Sequence, residues 1–208
     1  MNQVTTQKTR QGRPTLFNPQ DVEEQLADLF WDRGYDGVSM SDITTATGLS
    51  KSSLYNSFGG KDALFKTALN RYYINVVQTG ADWLAADDGT APIDKLDQLL
   101  QGPADDVHGQ GDTRGCFLCN TSSDGAGRAP DIDTLVGEGF ARLDLGLRTL
   151  LQRYAPEAEP EAIQAAARLI LTIYTGMRVR SRSKPPRAAF DSVRETTLTA
   201  VRLLLKGD

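Results

Sequence analysis

Between residues 50 and 61 the chain gathers groups suited to hydrogen bonding with a nucleic acid: Ser50, Lys51, Ser52, Ser53, Tyr55, Asn56 and Lys61. Hydroxyl, amide and amine groups are what meets phosphate oxygens and base edges. Leu54 and Phe58 stand four residues apart among them, the spacing that puts two side chains on one face of a helix. An apolar anchor pair on one side leaves Lys51, Ser52, Ser53, Tyr55 and Asn56 on the other. The first turn of such a helix also points unpaired N–H groups outward, which suits a phosphate.

A second chemistry-bearing pair is Cys116 and Cys119 in C-x-x-C spacing, with Arg114 close by. A zinc site needs further ligands, and His108 is the single histidine. No metal site is expected. As thiols the pair has two readings. Cys116 at a helix N-terminus could react as a thiolate and sense oxidants or electrophiles. Alternatively both are small apolar fillers, because free cysteine is commonly buried. His108, alone on a polar stretch, reads as solvated.

Several activities have no residues to carry them. There is no phosphate loop, dinucleotide motif or Gly-x-Ser-x-Gly, and one histidine leaves little room for a catalytic triad. Neither an enzyme nor a cofactor is expected. The 208 residues are 39% hydrophobic and 24% charged, a balance that permits a packed core. Net charge is −4 and the sequence pI about 5.1, unusual for a protein that binds DNA by charge alone. The distribution is uneven: Lys8, Arg10 and Arg13 have no acid among residues 1–20, and Asp21, Glu23, Glu24, Asp28 and Asp32 follow. No apolar run is long enough to span a membrane, and the N-terminus lacks the apolar segment of a secretory signal. Two cysteines make no disulfide framework, so a reducing cytoplasm is the expected setting.

These groups need elements to hold them. Asn18-Pro19 reads as a helix cap followed by proline at the first helical position. Val22, Leu26, Leu29 and Phe30 form that helix's apolar stripe, and Gly34 ends it. Ser39 or Ser41 caps a second helix carrying Met40, Ile43, Thr44 and Thr47. Gly48 ends it in a left-handed turn, Leu49 turns back to the core, and Ser50 caps the polar helix, which Gly59-Gly60 breaks. Lys61-Asp62 opens a longer helix reaching about Ala85. Further helices are expected over Ile93–Leu100, extending as far as Val107, over Asp131–Tyr154, Glu161–Arg182 and Arg187–Leu205. Residues 101–114 are weakly patterned. Residues 1–17 read as a polar, basic arm, either lying along DNA or simply disordered.

The turn Gly48-Leu49-Ser50-Lys51, with Leu54-Tyr55, Phe58 and Lys61-Asp62-Ala63-Leu64, closely resembles the DNA-binding domain of the TetR family of transcriptional repressors, and the resemblance covers residues 18–69. It implies an all-α fold: an N-terminal three-helix helix-turn-helix domain over 18–66, after the arm at 1–17, and a C-terminal helical ligand-binding and dimerisation domain over 67–208. It implies that Ser41, Ser50, Lys51, Ser52, Ser53, Tyr55, Asn56 and Lys61 face double-stranded operator DNA. Tyr55, Lys61 and Ser41 would meet phosphates; Ser52, Ser53 and Asn56 would meet bases. It implies a homodimer through the last two helices, where Ala165, Ala166, Ala167 and Gly176 make a small surface. It also implies a small-molecule inducer in the C-terminal domain, near Trp83, Cys116, Phe117, Cys119, Asn120, Phe140 and Tyr174. The Gly115-Cys116-hydrophobic pair recurs in one branch of the family, whereas Cys119 stands where a plain hydrophobic residue is usual there. A helical protein–protein adaptor, an activator of the same family and a small enzyme built on helices are the alternative readings.

Overall fold

The computed structural model describes residues 17–124 and 130–206, and all of the secondary structure described is helical. The basic arm at 1–17, apart from Phe17, and the expected break at Gly125 and Gly127 lie outside the described residues. In order the helices are α1 (Pro19–Arg33), α2 (Met40–Thr47), α3 (Lys51–Ser57), α4 (Lys61–Tyr72), α5 (Thr79–Ala85), α6 (Pro92–Asp105), α7 (Phe117–Ser123), α8 (Pro130–Tyr154), α9 (Pro160–Arg180) and α10 (Arg187–Lys206).

The punctuation follows local chemistry. Asn18 accepts from the Gln20 N–H at the start of α1, with Pro19 at the first position. Of the two serines that could cap α2, Ser39 does so. It accepts from the Asp42 N–H at 3.2 Å, while the Asp42 carboxylate accepts from the Ser39 N–H at 2.8 Å. This reciprocal box satisfies two donors that would otherwise be unpaired. Gly48 ends α2 at φ 67°, ψ 5°, a left-handed conformation that is costly for residues with a Cβ. Ser50 then caps α3 by accepting from the Ser53 N–H.

One stretch departs from the sequence expectation and another fills it in. The helix from Lys61 towards Ala85 is interrupted by a π-helical segment, Tyr73–Gln78. In the weakly patterned residues 101–114 the expected extension of the preceding helix is present. Helix α6 continues past Gly102 and through Pro103 to Asp105, and a further π turn covers Asp106–Gln110. Pro103 is buried, so packing outweighs the hydrogen bond that its ring removes from the helix.

The buried apolar side chains form two clusters. One joins Leu26, Phe30, Ile43, Leu54, Leu64 and Phe65 to α7 and the start of α8 through Phe117, Leu118, Ile132 and Leu135. The other joins α5 and α6 to α8, α9 and α10 through Leu84, Leu100, Leu150, Ile170 and Val201. Helices α5 and α8 approach closely because Gly146 has no side chain: a Cβ there would sit 2.7 Å from the Ala81 carbonyl oxygen. At the C-terminal end of α5, two cations take up free carbonyls. Lys95, fully buried, donates to the carbonyls of Trp83 and Ala86 at 2.8 Å each. Arg153 donates to those of Ala86 and Leu84. Such caps satisfy acceptors that the helix itself leaves open.

Candidate nucleic-acid interface and a buried thiol pair

Helix α3 is held by one fully buried residue, Leu54, and by the half-buried Phe58, whose ring lies 6.2 Å from that of Phe17. Burying a leucine side chain contributes about 1.5–3 kcal/mol, enough to orient a helix of two turns. With that face inward, Lys51, Ser52, Tyr55 and Asn56 are exposed, and Tyr55 keeps 47% of its surface in solvent. Lys51 Nζ lies 5.9 Å from the centre of the Tyr55 ring. Ser50 and Ser53 are turned to local work: their hydroxyls pair at 2.9 Å, and Ser53 is half-buried.

The remaining expected contacts border this face. Ser41 is exposed in the first turn of α2, and its carbonyl accepts from the Thr44 and Thr45 hydroxyls. Lys61 is half-buried with its ammonium 4.1 Å over the Tyr35 ring. The Tyr35 hydroxyl in turn donates to the Asp62 carboxylate. That bond, with burial, pushes the Tyr35 phenol up to about 12. This brace was not read from the sequence. Tyr35 follows α1 whereas Lys61 and Asp62 open α4, so no local spacing signals it.

The expected ligand residues fall into separate groups. Trp83 packs on the C-terminal cluster, with the Lys95 ammonium 5.5 Å from its ring. Phe140 packs on the N-terminal cluster. Asn120 donates to the Arg114 carbonyl at 2.9 Å and borders a cleft of about 240 Å³ with Trp31, Arg33, Asp124 and Arg182. Phe117 is buried edge-on to Phe65 and Tyr72, at 5.6 and 5.7 Å.

Cys116 and Cys119 are buried free thiols, and Tyr174 lies near them. Three residues missing from the sequence reading complete this group: Tyr72 of α4, Arg178 of α9 and Asp106. Arg178 is buried, ion-paired with Asp106, and 5.7 Å from the centre of the Tyr174 ring. The backbone at Gly115 (φ +76°) lies against Arg178 so closely that a Cβ would run into its carbonyl. The Cys119 thiol hydrogen-bonds the Cys116 sulfur and holds Cys116 below the ordinary thiol range. Burial opposes this, and the Tyr72 hydroxyl and the Arg178 charge add to the lowering. Cys119, which keeps the shared proton, is pushed up by that bond and by burial. The spacing Tyr174/Arg178 is i, i+4 on one helix, the one signal that could have found the arginine.

Arg114, expected beside Cys116 as its activating cation, is committed elsewhere. Its guanidinium pairs with Asp112 and Asp28 at 2.8 Å each and lies 3.9 Å over the Trp31 ring. The cation acting on the thiols is Arg178. His108, expected to be solvated, is exposed, but its Nε2 lies 2.9 Å from the Pro185 carbonyl oxygen. Among the described residues no group of three His, Cys, Asp or Glu side chains is placed to hold a metal ion, and no helix is long and apolar enough to cross a membrane.

Comparison with known proteins agrees with this architecture. Residues 24–68 match the model of the bacterial regulatory proteins of the tetR family. The chain is 26% identical over 181 residues to the HTH-type transcriptional repressor BdcR of Escherichia coli (strain K12), covering 86% of this chain and 87% of that one. It is 37% identical over 65 residues to the repressor ComR of the same organism, covering 31% of each. Among solved structures, a cysteine mutant of the TetR family regulator CifR, complexed with a 26-bp double-strand operator DNA, superposes with a TM-score of 0.76 at 24% identity. That match covers 91% of this chain and 99% of the other. The reduced form of E. coli NemR superposes at 0.72 with 18% identity, covering 90% and 98%. The three-helix head with its braced polar helix therefore matches the tetR family of bacterial regulatory proteins over residues 24–68, and the chain as a whole shares the all-helical fold of the TetR family regulators it superposes on.

Proposed function

We propose that the protein is a dimeric transcriptional repressor that reads a palindromic operator through α3 and is released by an effector acting on its C-terminal helices. The reading unit is residues 18–66, and residues 67–208 bind the effector and the second subunit. The observation that carries this is the exposed row Lys51, Ser52, Tyr55 and Asn56 on a helix fixed from behind by Leu54. Lys51 and Tyr55 meet phosphates; Ser52 and Asn56 reach base edges in the major groove. Ser53 is a weaker candidate for a base than for a brace, given its bond to Ser50. Two such helices in successive grooves stand about 34 Å apart.

Pairing of chains has support in α9, where Ala165, Leu169, Thr172, Gly176 and Val179 fall on one line at spacings of three and four. Of these only Leu169 is half-covered; the others are exposed. Ala166 and Ala167, grouped with them in the sequence reading, are buried inside the subunit instead. BdcR and ComR are described as repressors, and the CifR mutant was complexed with operator DNA, which favours repression over activation here. The effector is a small molecule or a reagent that modifies the thiols.

The test is a fluorescent duplex titration at several salt concentrations, with the inverted repeat upstream of the gene. Affinity that falls with rising salt is expected, together with a loss of at least about tenfold for Tyr55→Ala at unchanged oligomeric state. Absence of any salt-dependent duplex binding would point to the protein–protein adaptor.

A further inference from the structure

We propose that Cys116 and Cys119 are a modification site, a dithiol that a hydroperoxide converts to an intramolecular disulfide and that thereby resets the helix carrying the DNA-reading head. The output rests on the repressor reading; the bond itself does not.

The geometry is a cluster of six side chains from four elements. Cys116 immediately precedes α7 and Cys119 is its third residue, so one helical turn brings the sulfurs into hydrogen-bonding contact. Tyr72 approaches Cys116 from α4, Arg178 and Tyr174 belong to α9, and Asp106 pairs with Arg178 from the π turn after α6. Packed fillers would need neither a buried cation nor a phenol beside them. The Arg178 Nε–H and the Thr121 hydroxyl, both buried, have no hydrogen-bond partner, which marks the region as polar rather than a plain apolar core. The depressed Cys116 and elevated Cys119 make the first the attacking sulfur and the second the proton holder and resolving thiol.

The reaction balances without a cofactor. The Cys116 thiolate attacks one oxygen of the hydroperoxide. The O–O bond breaks, the leaving oxygen takes a proton from water, and Cys116 becomes a sulfenic acid. The Cys119 sulfur, giving up its proton, attacks the Cys116 sulfur, and the S–O bond breaks with loss of water. Overall the pair, entering as one thiolate and one thiol, gives up two electrons and one proton to the peroxide, and water supplies the second proton, leaving hydroxide.

The consequence reaches α4. The disulfide removes the sulfur partner of the Tyr72 hydroxyl and the negative charge facing Arg178, and it draws in the first turn of α7. Phe117, the residue after Cys116, is wedged against Phe65 and Tyr72 of α4. The far end of α4 begins at Lys61, directly after α3 and its Gly59-Gly60 break. A shift at Phe117 is therefore transmitted along one rigid helix to the reading face.

The experiment treats the purified full chain with hydrogen peroxide and reads intact mass, thiol count, operator affinity and amide exchange in α4. The expected result is loss of two hydrogens in a single chain and loss of both thiols, reversed by dithiothreitol. Operator affinity should fall about 5- to 150-fold, and exchange in α4 should change. Cys119→Ser should stop at a sulfenic acid that dimedone traps, and Cys116→Ser should leave Cys119 unreacted. Thiols that survive peroxide, or a disulfide formed between chains, would overturn the site. A disulfide that leaves both operator affinity and α4 exchange unchanged would overturn the switch. If the reduced protein binds no operator, the repressor reading fails, and mass and α4 exchange still decide the disulfide and its reach.

Discussion

The side chains of α3 divide by a simple rule: what is apolar is turned inward, and what can donate or accept is left outside, except where another polar group claims it. Ser50 and Ser53 claim each other, so their hydroxyls are less free than those of Ser52 and Asn56. Lys51 has no carboxylate partner among the described residues, and its ammonium lies 5.9 Å from the centre of the Tyr55 ring. An ammonium in that position is free to displace a counterion from DNA. Lys51→Ala should lower the slope of log affinity against log salt by about one while leaving the order of preference among operator variants unchanged. A slope equal to that of the unaltered protein would place Lys51 away from the phosphates.

At the level of elements, two contacts set how the parts meet. Helices α5 and α8 touch backbone to side at Gly146, where the Ala81 carbonyl oxygen leaves no room for a methyl group. Gly146→Ala gains helix propensity of up to about 1 kcal/mol, yet overpacking against rigid backbone costs about 1–3 kcal/mol. Net destabilisation in urea unfolding is therefore expected, and a stabilised variant would mean that the two helices part easily. The other contact is Arg114, which ties α1 to the segment before α7 through Asp28, Asp112 and the Trp31 ring. The Arg114 guanidinium holds the Asp112 carboxyl below its ordinary 3.8. The folded chain therefore binds that proton less tightly than the unfolded chain. The resulting stabilisation is present above pH 3.8 and is lost as pH falls through the folded-state value. Comparing urea midpoints of the protein and Asp112→Asn across pH should show a gap near neutrality that closes in acid. A gap that widened in acid would reverse the sign of this link.

For the molecule as a whole, the two apolar clusters do not coincide with a head and a body. The N-terminal cluster includes Phe117, Leu118, Ile132 and Leu135, so the head is packed onto α7 and the start of α8. In the proposed repressor, that continuity is the route by which an event among the C-terminal helices would reach the face of α3. The α9 line Ala165–Leu169–Thr172–Gly176–Val179 remains uncovered within one subunit, with Val179 46% exposed. A charge there would be desolvated by a pairing partner but tolerated in a lone chain. Val179→Arg should shift the chain from dimer to monomer in sedimentation velocity and weaken operator binding with it. A Val179→Arg dimer as tight as the unaltered one would locate the interface elsewhere.

The sequence by itself determined the elements and the outward face. Caps, glycine stops and the spacing of Leu54 and Phe58 act within a few residues, so Ser50, Gly48, Lys51, Tyr55 and Asn56 could be assigned from neighbours alone. It also carried the resemblance of the N-terminal domain to the TetR family, because the turn from Gly48 to Lys51 and the Lys61–Leu64 start are local. What only tertiary structure decided are meetings between distant segments. Pro103 stays within a helix because packing outweighs its missing donor. Arg114 goes to Asp28 and Trp31, leaving Arg178 beside the thiols, and Tyr72 closes on Cys116 from 44 residues earlier in the chain. Periodicity reports which side of a helix is buried; it carries no record of which other helix buries it.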